Sequence, residues 1–311
     1  MDSAWLEDFL VLVDCLNFSR AAERRHMTQS AMSRRIKSLE DWLGAPLFYR
    51  ETHRLSLTPA GERFKTAAFD LVRRLENARD QAHEAADLSQ SAIRFATTHF
   101  LSLSFFPKLM QREGHDSIGA IHLMADTMQA CERLMLRGQA QFLLCHHHPA
   151  ADLQLGVREF RCLTLGHDTL IPVSAPRRDD GELHEALHAL PGTADKPVNT
   201  LSYGDSSGLG RILSAVQLGQ DQESWLNVGF TTHVATVIRA MCRDGQGMAF
   251  LPLNMIEEDL ACGNLVRAGD PSWDVEVEIR LFRPRARQSP GAERFWAWMQ
   301  EQFPEQYASV A

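Results

Sequence analysis

The chain has 311 residues, of which 44% are hydrophobic and 23% charged, and its formal net charge is −8 at pH 7. This composition is typical of a globular protein with two or three compact domains. No apolar run reaches the length of about eighteen residues that a membrane helix needs, and acidic residues stand where a secretory signal would be basic. The sequence therefore argues against membrane spanning and export, and it predicts a cytoplasmic protein.

Charge is distributed unevenly along the chain. Residues 15–65 contain ten Lys or Arg against five Asp or Glu, a local charge of +5 that leaves −13 for the rest. Only this basic segment would attract the phosphates of a nucleic acid. The six cysteines include no C-x-x-C pair, which favours reduced, mostly buried thiols over a disulfide framework or a zinc module.

The basic segment contains signals for three short helices. Apolar residues at helical spacing predict a first helix over residues 4–16. Ser19 is expected to cap a second helix, in which Ala21 and Ala22 allow a close helix crossing. Thr28 is expected to cap a third helix that ends before Gly44. A helix, a tight turn and a second helix are the arrangement that lays a recognition helix in the major groove of DNA.

The third helix has two distinct faces. Its apolar stripe consists of Met32, Ile36, Leu39 and Leu43. The opposite face carries side chains that can contact bases or phosphates, namely Gln29, Ser30, Ser33, Arg34 and Lys37. Gln can bond adenine and Arg can bond guanine through two hydrogen bonds each. This face is the predicted DNA-reading surface.

A two-stranded wing is predicted after the third helix. Polar turn residues separate Tyr49 from the alternating Leu55 and Leu57. The basic side chains of this wing would lie near the DNA backbone or minor groove; they are Arg50, His53 and Arg54. Any small helical domain has apolar stripes and solvated charged faces, but the order of these elements and the local positive charge favour a winged helix-turn-helix over residues 1–58.

A long linker helix is predicted over residues 59–90, with Thr58 as its cap and Pro59 in its first turn. Apolar residues step by four and three along it, as in a coiled-coil seam: Phe64, Ala68, Leu71, Leu75, Ala78 and Ala82. The functional interpretation is a dimer stalk that spaces two recognition helices to match two half-sites. The alternative is a helix that packs on its own domain.

These motifs resemble the DNA-binding end of a LysR-type transcriptional regulator. The segments AA, TQSAMSRRIKSLE, LG-PLF-R and LT-AG occur in the family's order and spacing. The resemblance extends more weakly through the rest of the chain. It implies that Gln29, Ser30, Ser33 and Arg34 contact bases or phosphates, and that Arg50 and Arg54 belong to the wing.

The resemblance also implies an effector domain over residues 91–311, of the periplasmic-binding-protein type. Two α/β subdomains would flank a small-molecule cleft, the first formed by residues 91–162 with 268–311 and the second by residues 163–267. The residues allow this independently, because AIRFATT, AIHLMA and QFLLCHH are short strand candidates that alternate with helical stretches. That βαβαβ order predicts a parallel sheet with ligands at the strand ends.

Three predicted helix starts could line the cleft, since free N–H groups at a helix start suit an anionic ligand. The candidate residues are Thr97, Thr98, His99, Ser102, Ser206, Ser207, Thr231, Thr232 and His233. Simple helix capping would explain the Ser and Thr residues equally well. The stretches THFLSLSFFPKLM, FLLCHH and LSYGDSSGLGRIL resemble the hypochlorite-responsive subgroup of the family, whereas Gly138–Gln141 departs from the family's usual G-x-L-D strand entry.

Two competing chemistries for the effector domain stay open. Cys145, His146, His147 and His148 could bind Zn or Cu, although neighbours on a strand point to opposite faces. Cys131, Cys145 or a methionine could sense oxidants, which requires exposure and, for a thiol, a lowered pKa.

A hydrolase would need Ser207 or Cys145 as nucleophile, but the sequence has no G-x-S-x-G, P-loop or H-E-x-x-H motif. A solute-binding protein would leave residues 1–90 unexplained.

The sequence therefore predicts a homodimeric or tetrameric regulator rather than an enzyme. Its expected partners are double-stranded DNA, a small-molecule or oxidant effector, and RNA polymerase. No cofactor or resident metal is expected.

Overall fold

The computed structural model describes residues 2–51, 54–85, 92–112, 119–156, 159–179, 182–217 and 224–303. The chain divides into two compact units, one of residues 1–89 with 136–139 and the other of residues 90–135 with 140–311. In the described ranges no helix combines the length and the apolar character needed to cross a membrane.

The first unit has the predicted order of elements. It contains α1 (Ser3–Cys15), α2 (Phe18–Arg24), α3 (Gln29–Leu43), β1 (Phe48–Glu51), β2 (Arg54–Leu57) and α4 (Pro59–Ala85). Strands β1 and β2 pair antiparallel as the two-stranded wing. His53 lies outside the described residues.

The helix caps explain where α2 and α3 begin. Thr28 Oγ1 accepts a hydrogen bond from Ala31 N at 3.2 Å, and Gly44 ends α3 with a φ of 70°, as predicted. The predicted cap of α2 was wrong: Asn17 Oδ1 accepts from Arg20 N at 3.0 Å, so the helix starts before Ser19. Asn and Ser are comparable caps, and the position of the preceding turn decides between them.

The core of the first unit lies between α1, α3 and the start of α4. Met32, Ile36 and Leu39 of α3 are fully buried, as the apolar stripe predicts. The Phe9 ring of α1 packs 5.2 Å from that of Phe64 on α4, and Ala68 is fully buried in the same core. The prediction that Phe64 and Ala68 belong to an intermolecular seam is therefore corrected, because the first turns of α4 pack on their own unit.

The second unit alternates strands and helices before and after a long strand. In chain order it contains β3 (Ile93–Thr98), α5 (His99–Met110), β4 (Ile121–Asp126), α6 (Met128–Leu136), β5 (Phe142–His147), β6 (Phe160–Ser174), β7 (Pro176–Asp179), β8 (Glu182–Ala186), β9 (Val198–Tyr203), α7 (Gly208–Gln217), β10 (Leu226–Thr232), α8 (Ala235–Arg243), β11 (Ala249–Pro252), α9 (Leu253–Ala261), β12 (Val266–Arg267), β13 (Val275–Pro284) and α10 (Pro290–Gln302).

Seven strands form one sheet in the order β11-β6-β13-β5-β3-β4, with β12 also paired to β6. Strand β3 runs parallel to β4 and β5, as predicted, and the returning strand β13 is antiparallel to β5 and β6. The long strands β6 and β13 pair from Val275–Leu170 to Pro284–Phe160 and connect the two ends of the unit. Strands β9 and β10 form a separate parallel pair.

An aromatic cluster anchors the closing helix α10 to this sheet. Phe295 of α10 lies 5.0 Å from Phe95 and 4.8 Å from Phe142, measured between ring centroids in edge-to-face contact. Such pairs stabilise packing beyond the burial of their area. The returning strand and closing helix are thus confirmed, whereas the hairpin of β7 and β8 was not predicted.

Candidate nucleic-acid interface and ligand cleft

The face of α3 opposite its buried stripe carries polar and basic side chains, of which Gln29 accepts a hydrogen bond from Ser19 Oγ at 3.3 Å and Ser30 Oγ lies 3.1 Å from Thr28 Oγ1. Gln29, Ser30, Arg34 and Lys37 are exposed and Ser33 is half-buried. Within the part of the chain that the structure describes, Arg34 and Lys37 form no ion pair. Their charges are therefore free to meet phosphates or base edges.

Other arginines of the helix-turn-helix form ion pairs within the unit and so stabilise its fold. Asp8 of α1 is fully buried and accepts hydrogen bonds from Arg25 Nε at 2.7 Å and Arg35 Nη1 at 3.0 Å. Arg25 also pairs with Glu7 at 2.7 Å. These ion pairs join α1 to the end of α2 and to α3, and they fix the orientation of α3 relative to α1 and α2. Sequence reasoning missed it because the partners are 17 and 27 positions apart.

The wing is tied to the other end of α3. Glu40 Oε1 accepts hydrogen bonds from Leu47 N at 2.8 Å and from Phe48 N at 3.3 Å, which fixes the start of β1. Arg50 and Arg54 lie on the paired strands, at the end of β1 and the start of β2.

The later turns of α4 leave apolar surface uncovered in this single chain. Leu71 is 43% exposed and Leu75 53% exposed, and Ala78 and Ala82 are also exposed. Large side chains this exposed along one helix are typical of an interaction surface. These four residues of the predicted coiled-coil seam are therefore exposed, as a contact with a second chain requires.

A small cavity lies in the second unit, where several helices begin. Its volume is about 30 Å³, enough for one or two water molecules. It is lined by Thr98, His99, Phe100, Asp126, Thr127, Met128, His146, Ser207, Gly208, Leu209, His233 and Ala235. Helices α5, α6, α7 and α8 all start at lining residues, and their N–H groups favour an anion, whereas the lining carboxylate of Asp126, which accepts from Thr127 N at 2.6 Å, opposes one.

Four of the nine predicted cleft residues line this cavity, namely Thr98, His99, Ser207 and His233. The other five do not, and for them the prediction is corrected. Thr97 is fully buried on β3, Ser102 donates to His99 O at 2.7 Å, and Thr232 Oγ1 accepts from Val234 N at 3.3 Å. Ser206 and Thr231 also lie outside the lining. Local hydrogen bonds hold Ser102 and Thr232, and burial on β3 turns Thr97 away.

The polar groups of the cavity are only partly satisfied. Thr98 precedes α5 but makes no capping hydrogen bond, and among the described residues its buried Oγ1 has no hydrogen-bond partner. His146 Nε2 is also buried, and it lies 3.6 Å from Asp168 Oδ2. The His99 and His233 rings lie 5.8 Å apart, between centroids. The cavity can therefore donate hydrogen bonds to a small guest. From the sequence, His146 was either a metal ligand or part of a solvated or cleft-lining histidine run, and its place in the lining agrees with the second interpretation.

A buried ion pair joins two helices that line the cavity. Glu132 of α6 is fully buried, and its Oε2 accepts from Arg211 Nη1 of α7 at 2.9 Å. Glu132 Oε1 accepts from Gln154 N at 2.9 Å. A backbone hydrogen bond from Gln129 N to Ser206 O at 3.2 Å runs beside it. These contacts hold the two walls together.

The geometry disfavours the metal and thiol alternatives. Strand alternation puts Cys145 and His147 on the sheet face opposite to His146, and the described residues contain no group of three or more potential ligands placed to hold a metal ion. Burial raises the pKa of Cys131 to about 12 and that of Cys145 well above its ordinary value. Both groups are therefore protonated thiols with little nucleophilic reactivity.

Each of the two units matches the model of a known protein family. Residues 3–62 match the model of the bacterial regulatory helix-turn-helix protein, lysR family, and residues 86–304 match that of the LysR substrate binding domain. The HTH-type transcriptional regulator YjiE of Escherichia coli K12 is 30% identical over 97% of this chain and 95% of its own length.

Solved structures agree with this assignment. Full-length HypT of Salmonella typhimurium, a hypochlorite-specific LysR-type transcriptional regulator, is 25% identical with a TM-score of 0.58, covering 98% of this chain and 99% of its own. Vibrio fischeri DarR, solved in complex with DNA, is 29% identical with a TM-score of 0.53, covering 96% and 97%. The chain belongs to the LysR family of DNA-binding transcriptional regulators.

Proposed function

We propose that the exposed face of α3 enters the major groove of its operator, with Gln29 and Arg34 reading bases and Ser30, Ser33 and Lys37 contacting bases or phosphates. Arg50 and Arg54 of the wing would contact the backbone or minor groove. The proposal rests on the difference between basic residues that form ion pairs within the unit and basic residues that do not. Arg25 and Arg35 are bound to Asp8, whereas Arg34 and Lys37 are exposed and unpaired among the described residues.

The active form would be a homodimer or tetramer that contacts DNA in the cytoplasm. Two copies joined along the exposed part of α4, at Leu71, Leu75, Ala78 and Ala82, would present two α3 helices to two half-sites. The energetic reason is the burial of these side chains, which are solvated in a single chain.

The effector would be a small oxidant or inorganic anion, not a bulky organic molecule. A volume of about 30 Å³ is well below the roughly 300 Å³ at which pockets for organic ligands begin. Helix N-termini and the Thr98 hydroxyl, which has no hydrogen-bond partner among the described residues, favour a negative or strongly polar guest. Similarity to HypT, a hypochlorite-specific regulator, supports an oxidant of that class.

Met128 is the oxidisable side chain that such a guest would meet. Its side chain lines the cavity and lies against Gly208 at the start of α7. Hypochlorous acid would transfer its oxygen to the thioether sulfur, with release of chloride and a proton, to give a polar sulfoxide. The larger, polar group would push on α7. An effector acts only through its difference in affinity for two states, here two placements of the DNA-binding pairs that differ in DNA bending and polymerase recruitment.

The DNA-binding proposal is tested with Arg34→Ala in the full chain. Genome-wide binding with and without hypochlorite would first identify the operator. The variant should then lose roughly 1–3 kcal/mol of operator affinity but less affinity for random duplex. Arg287→Ala, the loss of an exposed arginine of the second unit, is the matched charge control. Equal losses on operator and random duplex would make Arg34 a phosphate contact only.

The effector proposal is tested separately with Met128→Leu, which keeps the volume but removes the sulfur. Hypochlorite should change the DNA footprint of the wild type and not that of the variant, and peptide mass spectrometry should find one added oxygen at Met128. An identical response in the variant would show that Met128 is not the sensor.

A further inference from the structure

The wing cannot set its own position relative to the recognition helix. Strands β1 and β2 have four residues each and form a two-stranded sheet by themselves. A two-stranded hairpin on its own is marginally stable at best in water. The place of the wing beside α3 must therefore be fixed by contacts at its base, where β1 begins and β2 ends.

On one side, the base of the wing is attached to the start of α4. Thr58 Oγ1 donates to Pro46 O at 2.7 Å, and Thr58 N donates to Leu47 O at 3.0 Å. Gly61 of α4 lies so close to the same backbone that a Cβ added there would collide with Leu47 O. The carbonyl groups that precede β1 are therefore held against α4.

On the other side, one carboxylate of α3 holds the amide groups of the same segment. Glu40 Oε1 accepts from Leu47 N at 2.8 Å and from Phe48 N at 3.3 Å. Both donors belong to residues that are buried in the core of the first unit, Leu47 at 1% and Phe48 at 4% exposure. Hydrogen bonds to an ionised acceptor are stronger than neutral ones, and a buried N–H that loses its acceptor is costly.

The sign of its charge argues that Glu40 does not act by touching phosphates. Glu40 follows Ser33 by seven residues and Lys37 by three, so it lies on the same side of α3 as the DNA-reading surface. A negative charge there repels the phosphates of a duplex. A contribution of Glu40 to DNA binding must therefore come through the amide groups that it holds.

We propose that Glu40 is a positioning residue, which fixes the wing relative to α3 so that both bind DNA as one rigid body. The inference rests on the proposed contacts of α3 and of the wing with DNA. Glu40 acts through Leu47 N and Phe48 N. Because the wing is placed before DNA arrives, less ordering is needed on binding.

The test is a thermodynamic cycle between Glu40 and the wing residue Arg54, with operator affinity of the full-length protein measured by fluorescence anisotropy. Arg54→Ala should weaken operator binding about tenfold in the wild type, and less than about twofold in the Glu40→Ala background, where the wing is no longer held in place. The same fold-loss in both backgrounds would overturn this inference and leave the proposed wing contact intact. No loss in the wild type would overturn both.

Two further variants separate reach from charge. Glu40→Asp keeps the charge but is one methylene too short, so it should lose the contribution of Arg54 as Glu40→Ala does, and it serves the cycle if Glu40→Ala does not fold. Glu40→Gln keeps an acceptor oxygen at the same reach and should retain most of that contribution. A full contribution of Arg54 in Glu40→Asp would sink the proposal.

The matched control is Asp41→Ala, which removes the neighbouring exposed acid of α3. It should bind the operator as tightly as the wild type or more tightly, because only a repulsive charge is lost. A loss equal to that of Glu40→Ala would trace the effect to the charge of the helix and overturn the inference. In footprinting, Glu40→Ala should lose backbone protection at the edge of each half-site and keep the major-groove protection by α3; loss of both would show that α3 itself is displaced and would also overturn it.

Discussion

The ion pair between Glu132 and Arg211 should make a large contribution to the stability of the second unit. Glu132 is fully buried and bonds Arg211 Nη1 and Gln154 N, both at 2.9 Å. Removing one partner of a buried pair typically costs about 3–5 kcal/mol. Because the Arg211 side chain is 19% exposed and can take up water, Glu132→Gln should cost about 3 kcal/mol, near the lower limit.

Arg211→Met should be worse than Glu132→Gln. It leaves the fully buried carboxylate with only the Gln154 amide as a donor, so we expect a loss of about 4 kcal/mol. The double variant has no buried charge at this point and should recover part of the loss, with a coupling energy of about 2 kcal/mol between the two positions.

Thermal and urea unfolding of the full chain would measure these changes. For a unit of this size, about 3 kcal/mol corresponds to a fall in Tm of roughly 6–12 °C. Glu257→Gln, which removes an exposed acid on α9, is the matched control and should be neutral. If the losses in Glu132→Gln and Arg211→Met simply add in the double variant, the pair is not coupled and the reasoning fails.

Three further results are expected. Asp8→Asn should cost about 2–4 kcal/mol of stability and reduce DNA binding, because Arg25 and Arg35 lose their buried acceptor; unchanged urea unfolding would contradict this. Leu75→Glu should lower the molecular mass in sedimentation and abolish two-half-site binding, whereas an unchanged oligomer would place the interface elsewhere. Burial, assisted by Arg280, lowers the pKa of His147 from 6.5 to about 4, so the unfolded chain binds a proton there that the folded chain does not. Stability should therefore fall as the pH drops from 6.5 towards 4, and His147→Gln should flatten that part of the profile; an identical profile would refute it.

Much of the DNA-binding unit followed from the sequence, because its signals are local. The buried stripe of Met32, Ile36 and Leu39 depends only on a period of 3.6 residues, and the caps Thr28 and Gly44 act within one turn of α3. The same holds for strands β3, β4 and β5, whose short apolar runs marked them.

Contacts between distant segments were decided by the tertiary structure. Asp8 selects Arg25 and Arg35 for the fold and leaves Arg34 for a partner, a distinction that no local pattern contains. Ala68 has seam spacing but is buried against its own unit, because α1 covers the first turns of α4.

In the second unit, too, the packing of distant segments decided which of the predicted residues form a site. Helical starts predicted the neighbourhood of the cleft, but the packing of helices and strands decided that Thr98 and not Thr97 lines the small cavity, and that His146 joins it. The buried approach of His146 Nε2 on β5 to Asp168 Oδ2 on β6, at 3.6 Å, arises only in the folded sheet. Periodicity and capping are set within about four residues, whereas a site requires side chains from segments that only the folded sheet brings together.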